Sequence, residues 1–203
     1  MEFVQALYDI YGEEHTKLCD EVDDVFGSLF VCNNYLLKEK IEIYEKAVDV
    51  LTKAIEIHRK HNITTDIADL IFFRAVAFRE LGEHEKALLD YIEWVEFDFP
   101  PESGINDFNR ASAYFQIAEL YAILSDYDTA FLCYEKSGDL YFKRNEDNEI
   151  DCEHAQKAYN KALSINYKSK SHVDNVRKKI IKVYRGLIEE EQRERGIWRL
   201  YNE

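Results

Sequence analysis

Large apolar residues recur along this chain in alternating steps of four and three, the spacing that keeps side chains on one face of an α-helix. Leu37, Ile41, Tyr44, Val48, Leu51, Ile55 and His58 form the longest such run. It predicts one amphipathic helix ending near His61-Asn62. Leu18, Val22, Val25, Leu29 and Cys32 predict a helix near residues 13 to 32. Phe3, Leu7, Ile10 and Tyr11 predict a short helix before it, interrupted at Gly12, and Asn33-Asn34 is the expected break after it.

The pattern continues downstream. Leu70, Phe73, Ala77 and Leu81 share a face, and Thr65 or Asp66 is placed to cap that helix. Leu81-Gly82-Glu83 predicts a tight turn, with glycine ending the helix. A partner helix is expected from about His84 to Phe97, stopped by Pro100-Pro101-Glu102-Ser103-Gly104. A further helix spans Asp107 to Leu124, with a turn at Ser125-Asp126. The next carries Ala130, Tyr134 and Tyr141 and stops in the polar stretch Arg144 to Glu149. Helices at Ala155 to Ile165 and from near His172 complete the series. The last carries Val173, Val176, Ile180, Val183, Tyr184 and Leu187. No segment alternates with the period of two that a strand requires.

Within these helices a short run recurs. Ala47, Leu51, Ala54 is followed by Ala87, Tyr91, Trp94, then by Ala130, Tyr134, Ser137 and by Ala155, Tyr159, Ala162. Each places an alanine, a large apolar residue four positions on, and usually a small residue three further. Two copies begin on the same fragment, Glu45-Lys46-Ala47 and Glu85-Lys86-Ala87. A recurring unit of this kind signals a helical array.

Residues 68–101 resemble a tetratricopeptide repeat through Ala75, Phe78, Gly82, Ala87, Tyr91 and Pro100, with Trp94 bulky where the family has a small residue. Residues 111–144 resemble it again through Ala118, Tyr121, Ser125, Ala130, Tyr134 and Ser137. Ala47 to Ala54 and Ala155 to Ala162 look like second helices of degenerate repeats. The resemblance implies an all-α fold of antiparallel helix-turn-helix repeats, stacked as a right-handed superhelix. The expected organisation is a single helical domain over 1–203. It has divergent N-terminal helices at 1–62, the two repeats at 68–101 and 111–144, a degenerate repeat helix at 150–167, and a basic C-terminal capping helix and tail at 172–203. A helical bundle without repeats is the competing fold.

The resemblance also implies a concave groove lined by the first helix of each repeat. By position its faces are Phe72, Val76 and Arg79, then Phe115, Glu119 and Ile123. An apolar, aromatic surface of this kind takes an amphipathic helix or an extended peptide. The same spacing is met if the chain's own helices cover these side chains. Family members that clamp the carboxylate tails of chaperones use lysine and asparagine on such faces, and phenylalanine, valine and glutamate stand there in this chain.

Charge sharpens the picture. Forty acids against 26 Lys and Arg give a net charge of −14. Met1 to Glu153 holds 34 acids and 14 bases, whereas His154 to Glu203 holds 6 acids and 12 bases. The acidic part repels nucleic acid and anionic lipid and attracts basic partners; acidic residues also serve solubility alone. The C-terminal run Arg177-Lys178-Lys179, with Lys182 and Arg185, is either the solvated face of a capping helix or a contact for phosphates or an acidic protein, including the acidic body of the same chain or of a dimer mate. The tail residues Ile197, Trp198, Leu200 and Tyr201 are expected to dock on the array or on a partner.

Chemistry is sparsely encoded. No GxSxG, P-loop or GxGxxG occurs, and Asp147-Asn148-Glu149-Ile150-Asp151 lacks the glycine and terminal glutamate of a calcium loop. His84-Glu85-Lys86-Ala87-Leu88 lacks the second histidine of a zinc-protease helix. His58 with His61, and His15 with Cys19, are one turn apart but have no third ligand nearby. No cofactor or metal is expected, and an enzyme is the third choice. Cys19, Cys32, Cys133 and Cys152 form no CxxC and read as reduced thiols. No apolar run reaches eighteen residues, and the first residues lack the pattern of a secretory signal. The expectation is a cytosolic, non-enzymatic protein that binds a basic protein or peptide: an adaptor, a chaperone or a neutralising protein of immunity type. A structural or regulatory subunit that self-assembles through its C-terminal helix is the alternative.

Overall fold

The computed structural model describes residues 13–31, 37–62, 66–99, 107–143, 152–165 and 167–194. The expected helix at residues 3–11, the breaks at Asn33-Asn34, Pro100 to Gly104 and Arg144 to Glu149, Thr65, and the tail from Ile197 lie outside them. Among the described residues there are eight helices and no strand. They are α1 Glu13–Val31, α2 Leu37–His61, α3 Ile67–Glu80, α4 His84–Glu96, α5 Asp107–Ile123, α6 Tyr127–Tyr141, α7 Cys152–Ser164 and α8 Lys170–Glu194. The chain divides into two compact units, one ending at Phe97 and one beginning at Asp98.

In the first unit, α1 to α4 pack each on the next. Side chains also reach from each helix to the next but one. Phe26 of α1 lies 4.6 Å from Phe73 of α3, centroid to centroid. Arg59 of α2 places Nη2 2.6 and 2.8 Å from the carboxylate oxygens of Glu93 on α4. Odd-numbered helices therefore form one layer and even-numbered helices the other. Between the layers, Arg74 of α3 makes a two-pronged ion pair with Asp90 of α4, both bonds 2.7 Å long. Its partners are 12% and 8% exposed, so the pair is held in a largely dry setting.

The second unit repeats the arrangement. Helices α5 to α8 pack each on the next. Lys161 of α7 reaches Glu119 of α5 at 2.9 Å, and Lys179 of α8 reaches Glu135 and Asp139 of α6 at 2.7 and 2.6 Å. The core between the layers holds Phe131, Tyr134, Tyr159, Val176, Ile180 and Val183.

Every residue of the four recurring runs is buried. The alanines let helix backbones approach closely, and the larger residue fills the gap toward the preceding helix. Tyr91 of α4 meets Phe72 of α3 edge-on at 5.6 Å. Tyr134 of α6 meets Phe115 of α5 edge-on at 5.3 Å. Ser137 completes its run by donating a hydrogen bond to the Ala111 carbonyl of α5 at 2.8 Å. The bulky Trp94 is accommodated against the half-buried Phe72 ring at 5.2 Å.

One expectation is corrected here. Residues 155–162 resemble a second helix of a repeat, yet α7 lies beside α5, in the layer of first helices. Lys157 stands 5.0 Å above the Phe115 ring, and Lys161 pairs with Glu119. The run marks a helix packed closely on its predecessor, in this case α6, and does not specify the layer.

The turns follow from backbone geometry. Gly82 has φ 77°, with Glu83 N donating to Phe78 O at 2.9 Å. The equivalent turn after α5 puts Ser125 at φ 66°, with Asp126 N donating to Tyr121 O at 2.9 Å. Both are helix ends closed through a left-handed residue. Asp126 then caps α6, its carboxylate accepting from Thr129 N at 3.1 Å. Asp66, expected to cap α3 with its side chain, makes no such bond. It adopts φ 60°, outside the extended range from which a capping side chain reaches the first N–H groups, and only its carbonyl accepts, from Leu70 N.

Candidate partner-binding surface

The positions expected to face a groove occupy α3 and α5, one set in each unit. Phe72, Val76 and Arg79 are spaced by four and three on α3. All three are half-buried. The Phe72 ring is taken up by Tyr91 and Trp94 of α4, so it belongs to the packing between the two helices. Arg79 places Nε 3.1 and Nη2 2.6 Å from Glu80 Oε1. Burial works against its charge, but Tyr91, Glu80 and Tyr44 outweigh this and raise its pKa above the ordinary arginine value. The Tyr91 hydroxyl is pushed up to about 12, chiefly by burial, against the pull of Arg79. Arg79 therefore presents a permanent positive charge beside a neutral phenol.

Phe115, Glu119 and Ile123 are spaced by four on α5. Phe115 packs edge-on against Tyr134 and lies under the Lys157 ammonium. Such a cation over an aromatic face gains electrostatically from the ring. Glu119 accepts from the Tyr134 hydroxyl and from Lys161. Burial pushes its carboxyl up, and the Tyr134 hydrogen bond and Lys161 together bring it below the ordinary carboxylate range. The Tyr134 phenol is driven the other way, by burial and by its bond to Glu119. Ile123 projects into solvent at 54% exposure. Tyr127, across the turn, is 52% exposed, and Asp128 beside it is exposed.

Sequence reasoning missed the contribution of α7. Glu153, Gln156, Lys157, Asn160, Lys161 and Ser164 line a shallow depression of about 640 Å³ along one side of this helix. Their spacing is helical and polar, opposite the buried Ala155, Tyr159 and Ala162. Assigning that segment to the second-helix layer hid the fact that its lysines would meet Phe115 and Glu119.

Of the residues singled out for metal chemistry, His58 has a structural role. His58 is buried, and its Nδ1 lies 2.8 Å from the Ala54 carbonyl of its own helix. The side chains of His15 and Cys19 lie outside the description. Among the described residues, no three His, Cys, Asp or Glu side chains converge as a metal site. No described helix is long and apolar enough to cross a membrane.

A family model described as tetratricopeptide repeat matches residues 111–143. That span covers α5, the Ser125 turn and α6, and coincides with the repeat expected at 111–144. No curated protein matches the chain. Repeats of this kind act as protein–protein interaction modules, their stacked helices presenting extended binding surfaces. The two-layer helical packing is that of a helical-repeat protein, and residues 111–143 within it match the tetratricopeptide repeat.

Proposed function

We propose that this protein is a non-enzymatic, cytosolic binding protein that holds a protein or peptide partner on the face of α5 in its matched repeat, with the α3 face of the first unit as a separate candidate. The observation that carries the reading is the half-open side of α5 in the matched repeat. Phe115 and Glu119 are fixed by Lys157 and Lys161, and Ile123 is left projecting beside them. A rigid polar frame around an exposed apolar residue suits an anchoring contact. Val76 and Arg79 offer a corresponding side on α3.

The acid excess favours a basic partner. At the turn between α5 and α6 that charge meets apolar surface, where Ile123 and Tyr127 stand with Asp128. An adaptor, a chaperone and a neutralising protein of immunity type share this chemistry. In the last case the acidic surface would occupy a cationic cleft of a nucleic-acid-cutting toxin.

Affinity capture from native lysate at low and high salt tests the reading, with Val76→Asp and Ile123→Asp variants run in parallel. A stoichiometric basic protein held at low salt and lost from the Ile123→Asp variant is the expected result. A protein retained equally by both variants would rule out these faces. Coexpression with a candidate nuclease toxin tests the neutralising role, which persistent toxicity alongside soluble expression of both proteins would reject.

A further inference from the structure

The first and last described helices carry opposite net charge. Between Glu13 and Val31, α1 holds six acids and one base; α8 holds seven bases and five acids, and the stretch before Glu189 carries six of those bases and one of the acids. On α1 the acids Asp20, Asp23 and Asp24 are exposed at spacings of three and one, which places them on one face. On α8, Lys178, Lys182 and Arg185 are exposed on one face at spacings of four and three.

Helix α8 also departs from what an end cap requires. A capping helix buries one side and shows a polar side to water. Val176, Ile180 and Val183 are buried as expected. A second apolar stripe faces outward, with Ile181 52%, Tyr184 44% and Ile188 53% exposed. It runs beside the Lys178, Lys182 and Arg185 row. Of the other bases, Lys179 is committed to Glu135 and Asp139, and Arg177 to Asp174. The first unit shows matching features: Leu37 and Ile41 of α2, the helix packed on α1, are 76% and 41% exposed.

We propose that the outer face of α8 is a docking surface for a second copy of this chain, which presents its acidic α1 face and the exposed start of α2. Ile181, Tyr184 and Ile188 bury against Leu37 and Ile41, while Lys178, Lys182 and Arg185 meet Asp20, Asp23 and Asp24. The two surfaces differ, so the contact is head-to-tail and adds copies one after another unless a ring closes. The acidic body disfavours anionic lipid as the occupant. The inference stands apart from the partner-binding reading of α3 and α5.

Sedimentation velocity of the full chain over a range of concentrations, at low and high salt, is the test. The wild type should self-associate at low salt and dissociate as salt screens the pairs. A Lys178→Glu/Lys182→Glu/Arg185→Glu variant and an Asp20→Lys/Asp23→Lys/Asp24→Lys variant should each associate about tenfold more weakly or less, with unchanged circular dichroism. Mixing the two variants pairs a reversed α8 with a reversed α1 and should restore association. Ile181→Ser/Ile188→Ser should weaken association at low salt, where the charge pairs remain unscreened. A wild type that stays monomeric throughout, or that associates regardless of these substitutions, overturns the proposal. So does a mixture that remains monomeric. Sedimentation of the monomeric wild type with phosphatidylserine vesicles, lost in the α8 variant, would assign the face to membrane instead.

Discussion

The ring of Tyr159 occupies the space that a side chain on Gly138 would need. A Cβ built at Gly138 would lie 2.5, 2.7 and 2.8 Å from three atoms of that ring. Tyr159 cannot easily move aside. It is 1% exposed, and its hydroxyl donates to Asp139 at 2.6 Å. Gly138→Ala must therefore push α7 off α6 or break that hydrogen bond. Overpacking of this kind costs about 1–3 kcal/mol. Denaturant unfolding should show the loss, and Tyr159→Leu in the same background should recover part of it by vacating the ring's space. A neutral Gly138→Ala would mean that the two helices are not this close.

Lys179 joins α8 to α6 through two carboxylates, Glu135 and Asp139, and stands 6.0 Å from the Tyr159 ring centroid. Glu135 is 12% exposed, so removing its partner leaves a mostly buried charge. Lys179→Met should cost about 1–3 kcal/mol at neutral pH and speed proteolysis within α8. Burial lowers the ammonium's pKa, but the bonds to Asp139 and Glu135 outweigh it and the net shift is upward. A raised value means that the contribution is complete below the ordinary lysine pKa of about 10.4 and fades as pH rises through the folded value. The stability difference between wild type and Lys179→Met should therefore shrink at alkaline pH. A difference that stays constant would mean the ammonium is not held by these carboxylates.

Helix placement was legible because the apolar spacing is strong and the turns carry their own signals. Gly82 and Ser125-Asp126 stand where the helices end, and the four alanine runs are all buried. Layer assignment was not legible. Tyr91, Tyr134 and Tyr159 each fill a gap toward the preceding helix, so the same run appears in a first-layer and a second-layer helix. The site was partly legible for a related reason. Phe72 and Phe115 share a register on their helices, but Trp94 draws the Phe72 ring inward while Lys157 caps Phe115. Those partners lie 22 and 42 positions away along the chain, and helical spacing carries no information about them.

Ser125 holds a left-handed φ of 66° at the turn where Gly82 holds 77° in the first unit. A residue with a Cβ pays about 1 kcal/mol in this region, and glycine does not. Nothing lies within 4 Å of a Cβ built at Gly82, so only conformation distinguishes the two residues there. Ser125→Gly should stabilise the second unit by about 0.5–1 kcal/mol, after the entropy that glycine loses on folding. Gly82→Ser should destabilise the first unit by a similar amount. Thermal melts of both variants check the pair, and opposite signs are required.

Glu119 sets the acid limit of the α5–α7 contact. Its carboxylate accepts from Tyr134 and Lys161, and these interactions hold it below the ordinary carboxylate range against the upward push of burial. A depressed value contributes stability above the unfolded pKa of about 4.3, and that contribution is lost as pH falls through the folded value. Glu119→Gln should cost about 1 kcal/mol at neutral pH, a modest figure because the group is 34% exposed and screened by water. The gap between wild type and variant should close as pH falls below about 4. Tyr134→Phe should move the carboxyl back up by removing one donor, and carboxyl-carbon NMR titration of Glu119 reads that shift directly. A Glu119 titration unmoved by Tyr134→Phe would remove the hydroxyl from the account and leave Lys161 as what holds this side of the matched repeat.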